Sequence, residues 1–214
     1  EADAKPRYLD NNIAQTPALA TNALLNELIA VQGRFAMLYQ SAVYNKHDDI
    51  RLFQQQARVI EALLQEVSEF IVNLETAALS DETTTQLATM MRISNYLEDC
   101  TQATDMLASH LANRETLKER ELEEQLRSYL VEVNGYIQQT TTLNEAVEPI
   151  TQETLQQRKD QIKDALILAG TLHHIEIAQM SVAVDCLHEA WHIAKTWHKA
   201  VARLNTLSAV LTPS

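Results

Sequence analysis

IRLFQQQARVIEALLQEVSEFIVNLE, the stretch from Ile50 to Glu75, decides the fold. Its apolar residues Ile50, Phe53, Ala57, Ile60, Leu64, Val67, Ile71 and Leu74 recur in alternating steps of three and four. At that spacing side chains stack on one face of an α-helix, whereas a strand, with its period of two, would scatter them over both faces. A helix with one apolar stripe has to bury it against partners, which predicts a helical bundle.

The same alternation appears upstream in Leu24, Leu28, Val31, Phe35, Leu38 and Ala42. Thr16-Pro17 opens that first helix, with Thr as N-cap and Pro at the first helical position, where its missing N–H costs nothing. Before it, Glu1 to Gln15 holds Pro6 and Asn11-Asn12 without periodicity and reads as an arm or linker. Asn45-Lys46-His47-Asp48 separates the first helix from the second, which is expected to end near Glu75. Ser80-Asp81-Glu82 then supplies the N-cap and first-turn carboxylates of a third helix. Its inner stripe is Met90, Ile93, Leu97, Cys100, Thr104, Leu107 and Leu111.

A fourth helix is expected from about Thr116 to Asn144, buried through Leu122, Leu126, Tyr129, Val133, Tyr136 and Leu143. The Arg/Glu-rich first half of this segment reads as a solvated face. Pro149 closes it, and Thr151 can cap a fifth helix carrying Leu155, Ile162, Leu166 and Ala169. Gly170-Thr171 is the one break expected before Ser208. Either Gly170 terminates a helix and Thr171 caps the next, or the glycine sits inside one long helix.

Composition agrees with an all-α chain. Three glycines and four prolines in 214 residues leave little material for hairpin turns, and the length suits one domain or two closely packed small ones. Seventeen basic against 29 acidic residues give a net charge of −12, which argues against binding nucleic-acid phosphates. Cys100 and Cys186 both fall within helical patterns, so buried reduced thiols are expected and a disulfide framework is not. No run of about 18 apolar residues suggests a membrane span, and no signal-peptide pattern is present. The start at Glu1 leads us to expect a mature form or a piece of something longer.

If Gly170 is a turn, the chain carries a weak internal repeat of about 90 residues. The third and last helices then correspond, with Glu98 set on His188 and Gln102 on His192. The segment VAVDCLHEAWHIAKTWHKAV, Val182 to Val201, thus answers MMRISNYLEDCTQATDMLASHL, Met90 to Leu111.

At these residues the chain resembles a known family. PRYLD at Pro6 to Asp10, followed by TPALA at Thr16 to Ala20, resembles the linker after the transmembrane part of bacterial sodium/phosphate cotransporters. LSDETTTQLATMMRISNYLEDCTQATDMLA, Leu79 to Ala108, is similar to the helix of their PhoU-like domain in which an Arg-Ile start leads to a Leu-Glu pair and an ExxxD motif. The resemblance covers most of the chain, strongest over Pro6 to Ala20 and Val59 to Leu111. It implies a PhoU-like fold of two antiparallel three-helix bundles packed as one elongated domain. The arm would be 1–15, the first unit 16–112 and the second 113–214. It also implies a regulator of phosphate transport or phosphate signalling at the cytoplasmic face of the bacterial inner membrane. Its partners would be the transmembrane part of the same transporter, a phosphate-signalling protein, and further copies of itself.

PhoU-like domains can hold metal through E/D-xxx-D motifs. Glu98 matches the first carboxylate, but Gln102 stands where the next acid belongs and Tyr96 where an acid often precedes. Asp99 and Asp105 lie nearby, while the second unit offers His188 and His192. The candidate metal set is therefore Glu98, Asp99, Gln102, His188, Glu189 and His192. Imidazoles in that set favour Zn²⁺, Fe²⁺ or Ni²⁺ over Mg²⁺ or Ca²⁺.

HEAWH, His188 to His192, also spells the zinc-protease motif, in which two histidines four apart share a metal and the glutamate activates its water. His198 stands at the spacing of a third ligand, but Lys195 occupies the position where a glycine would have to break the helix. In a continuing helix His198 lies about 80° around the axis from His188, on the side opposite His192. No enzymatic activity is expected, with a helical zinc hydrolase and a plain helical adaptor as the alternatives. Of the remaining side chains, His173-His174 reads as a helix-surface residue beside a semi-buried one. Trp191 and Trp197 read as packing anchors, and Lys195, Lys199 and Arg203 as a basic stripe facing solvent, lipid or transporter loops.

Overall fold

The computed structural model describes residues 4–10, 12–44, 50–74, 79–141 and 150–211, all but the side chain of Gln15. Every regular element among them is helical. A short 3-10 turn at Ile13–Gln15 leads into α1 (Pro17–Tyr44), α2 (Ile50–Asn73), α3 (Asp81–Asn113), α4 (Arg120–Thr140), α5 (Gln152–Thr171) and α6 (Ile177–Val210). The connections expected at Asn45 to Asp48 and at Pro149, the helix end at Glu75, and Leu143 and Asn144 lie outside the described residues.

The α2 stripe is buried as its spacing requires. Phe53, Ala57, Ile60, Leu64, Val67, Ile71 and Leu74 are all in the core, and Ile50 is half-buried. The capping residues also act as their chemistry predicts: the Ser80 hydroxyl accepts from the Thr83 N–H at 3.2 Å, and the Thr151 hydroxyl from the Thr154 N–H at 3.1 Å. α1 buries a broader face than one stripe, Leu24, Leu25, Leu28, Val31, Phe35, Ala36, Leu38 and Tyr39 among it. The reason is its position, since it packs against α2, α3, α4 and α6.

Helices α1, α2 and α3 pack pairwise on one another, as do α4, α5 and α6, and the most extensive contact in the molecule is between α3 and α6. These two are the longest helices, 33 and 34 residues, about 50 Å each. They run antiparallel: Glu115 meets Gln179, His110 meets Glu189, Asp99 meets His192, and Cys100 Sγ lies 3.8 Å from the Ile193 carbonyl. The small neighbours Ala190 and Ala194, fully buried, leave room for this approach. The thiols are buried and reduced as expected. Tyr39 and Gln138 add a second tie, donating across α1 and α4 to the carbonyls of Leu130 and Ala36 at 2.9 Å each.

Three expectations need correction. The break after α5 is not made by Gly170: the helix continues to Thr171, and the chain turns over Leu172 to Glu176. The left-handed residue is His173 at φ 61°, and the His174 N–H closes the turn on the Ala169 carbonyl at 2.9 Å. Thr171 bonds back to the Ile167 carbonyl rather than capping α6. Gly170 serves a close helix approach instead, because a Cβ there would stand 2.4 Å from Met180 Sδ.

Second, the arm, expected only as an aperiodic linker, is docked on the fold where it is described. Glu27 on α1, 2% exposed, accepts the backbone N–H groups of Arg7 and Tyr8 at 3.0 Å each. Leu9, Ile13 and Ala14 pack against the core beside it.

Third, α4 starts at Arg120, and its first half is not wholly a solvated face. Glu123 turns inward, taking the Leu117 N–H at 2.9 Å and a two-pronged bond from Arg114, whose side chain is 4% exposed. Those bonds hold residues 114 to 119 in a non-helical fold over the carboxylate.

Candidate functional site

The structure distributes the polar groups predicted on α3 and α6 over separate contacts, and only some of them meet across the seam between the two helices. Glu98 and Gln102 meet each other on α3, the amide donating to Glu98 Oε1 at 3.4 Å. Asp99 Oδ2 pairs across the seam with His192 Nε2 at 3.0 Å, and both side chains are about half-exposed. Asp105 is engaged by Arg58 of α2 at 2.7 Å.

The HEAWH residues diverge in the same way. His188 sits in the field of α5, where partial burial and then the ammonium groups of Lys163 and Lys159 push its pKa down. His192 reaches Asp99 on α3. His198 bonds the Tyr136 hydroxyl on α4 through Nδ1 at 2.8 Å. Glu189, the water-activating base of a hydrolase reading, has its carboxylate on His110 Nδ1, at 2.9 and 3.1 Å from the two oxygens.

That last contact brings together a set that no single helix contains. Cys186 lies three residues before Glu189 on the same face of α6, and His110 approaches from the last turn of α3. One ligand atom from each of His110, Cys186 and Glu189 lies within 4.8 Å of the other two, and no other group of three metal-ligating side chains converges so among the described residues. No known protein family, curated protein or solved structure matches this chain.

Cys186 is buried, and burial, with the neighbouring Glu189 charge next in weight, pushes its thiol up to about 12. Burial likewise raises the Glu189 carboxyl, against the opposing hydrogen bond and charge of His110. A buried thiol and a half-buried carboxyl held below their normal ionisation suit compensation by positive charge. The His110 side chain is 36% exposed, so the cluster opens to solvent there.

Of the six predicted metal-set residues, only Glu189 belongs to this cluster. His110 lay inside the stretch Met90 to Leu111, and Cys186 just ahead of HEAWH, yet neither stands at a motif spacing from the other. Their meeting depends on the antiparallel register of α3 on α6. The i, i+3 pairing of Cys186 with Glu189 was the one signal available in the sequence.

The other singled-out side chains are structural. The Trp197 indole is fully buried and donates to the Thr140 hydroxyl at 2.9 Å. Trp191 carries Lys159 and Lys195 over its ring at 5.9 and 5.5 Å, and Tyr96 carries Lys199 and Arg203 at 5.9 and 5.2 Å. The basic stripe of α6 thus stacks on aromatic faces of its own fold, where cation–π attraction holds it. His173 and His174 are both exposed in the α5–α6 turn, not on a helix surface.

Proposed function

We propose that the chain is a PhoU-like regulatory domain of a sodium-dependent phosphate transporter, acting by protein contact at the cytoplasmic membrane face. The observation that carries this reading is the contact pattern, in which two trios of mutually packed helices meet through α3 and α6. It agrees with the two-unit organisation implied by the resemblance of Pro6 to Ala20 and Leu79 to Ala108 to that family. No helix among the described residues is long and apolar enough to cross a membrane, so on this reading the tether is the transporter's own transmembrane part.

The mechanism would be a shift between two packing states of the trios, biased by a metal or protein partner and passed to the transporter through the arm. Glu27 is the residue through which α1 holds that arm. Deleting residues 16–214 from the intact transporter is expected to change sodium-dependent phosphate uptake and its response to external phosphate. Unchanged uptake and an unchanged response would overturn the reading.

In the chain itself, Glu27→Ala removes the acceptor of two charge-assisted hydrogen bonds, worth about 1.5–3 kcal/mol each. The arm should open about 10-fold or more often, and trypsin should cleave after Arg7 faster by the same factor. Equal cleavage rates in the variant and the original would mean that the clasp does not restrain the arm.

A further inference from the structure

We propose that His110, Cys186 and Glu189 form a zinc site that ties the C-terminal turn of α3 to the N-terminal half of α6. The donor set is one thiolate, one imidazole and one carboxylate, each a recognised Zn²⁺ ligand, with bonds of about 2.3, 2.0 and 2.1 Å respectively. A tetrahedral ion with those bonds needs its ligand atoms about 3.3–3.6 Å apart. The three atoms already lie within 4.8 Å of one another, so side-chain rotation supplies the rest. The soft sulfur selects against Mg²⁺ and Ca²⁺, which take all-oxygen sets.

The arrangement also explains which position stays open. Cys186 is buried and the Glu189 side chain is 14% exposed, so these two form the floor, while His110, 36% exposed, forms the rim. Three protein ligands and an exposed side leave the fourth position to water. Arg114 and Glu123 act on the Cys186 thiol with opposite sign, Arg114 the more strongly, and Asp185 adds a further negative field. Cys186 and Glu189 come from one helix and His110 from the other, so a bound ion would cross-link α3 to α6. This inference does not depend on the transporter reading.

The test is titration of the reduced, chelator-treated chain with zinc chloride by calorimetry, and with Co²⁺ by absorption. We expect one zinc per chain, and a thiolate-to-cobalt charge-transfer band that vanishes in Cys186→Ser. His110→Ala, Glu189→Gln and Cys186→Ser should each weaken zinc at least about 10-fold, while His188→Ala and His192→Ala leave it unchanged. His110→Ala alters a half-exposed rim residue and carries the test should Cys186→Ser fail to fold by circular dichroism. Absence of saturable binding would overturn the site, as would affinity that survives His110→Ala or that is lost instead in His188→Ala or His192→Ala.

Discussion

Trp197→Ala is expected to destabilise the fold by about 3–5 kcal/mol, the range for truncating a fully buried tryptophan. Trp197 is 0% exposed and sits where three helices meet: its ring lies 5.3 Å from the Phe35 ring of α1, and its N–H bonds Thr140 at the end of α4. Truncation removes the dispersion contacts of the largest buried side chain and leaves a cavity that rigid neighbouring helices close only in part. Trp197→Phe separates the two contributions. It keeps much of the packing and loses the N–H bond, so its cost should be smaller, about 1–2 kcal/mol. Urea unfolding followed by far-ultraviolet circular dichroism measures both. A Trp197→Ala loss below about 1 kcal/mol would show that the α1–α4–α6 junction repacks freely.

Much of this fold was legible because helices that bury one stripe announce it by spacing. α2 is the clearest case, its predicted stripe and its buried residues coinciding almost residue for residue. Caps at Ser80 and Thr151 were legible for a related reason: their hydroxyls act on N–H groups three residues away, and such local chemistry is written in the local sequence.

What could not be read is what depends on distant register. The α3–α6 pairing that joins His110 to Cys186 and Glu189 follows from how two long helices slide against one another, and many offsets satisfy the same apolar spacing. Glu27 and Glu123 were missed for a different reason. A lone glutamate on a mostly apolar helix, or one in the Arg/Glu-rich start of α4, looks solvated until the chain folds an N–H or a guanidinium onto it. Gly170 misled because a glycine near a helix end signals a turn as readily as a close approach, and the partner at Met180 lies across the turn. His173 took the left-handed position although it is not glycine. Its N–H and that of His174 both find carbonyl partners on the last turn of α5, which offsets part of the backbone cost.

The seam matters to function under either proposal. α3 packs on α1 and α2 as well as on α6, so whatever restrains α3 against α6 restrains both helix trios at once. Interfaces of interdigitated side chains shift between discrete arrangements more readily than they deform continuously. A dication bridging His110 to Cys186 and Glu189 would favour the arrangement in which those side chains meet, and its contribution would grow with its free concentration.

Glu123→Gln should cost about 3–5 kcal/mol at neutral pH, because it leaves the nearly buried Arg114 guanidinium without its counter-charge. Burial alone would raise the Glu123 carboxyl. The Arg114 hydrogen bonds, the Leu117 N–H and the charges of Arg114 and Arg127 outweigh it and hold the pKa at about 2, against 4.5 for an ordinary glutamate. A carboxyl whose folded pKa is depressed stabilises the fold above its unfolded pKa, and that contribution disappears as pH falls through the folded one. The Glu123 contribution should therefore be complete above about pH 4.5 and fade between there and about 2. The gap between the original chain and Glu123→Gln, read from urea midpoints, should accordingly be wide at pH 7 and narrow near pH 2. A double change, Arg114→Met with Glu123→Leu, removes both charges and should recover most of the loss, since an apolar pair avoids the desolvation that the ion pair has to offset. If the double variant is as unstable as Glu123→Gln, the cost lies in the Leu117 N–H and the fold of residues 114 to 119, not in the stranded guanidinium.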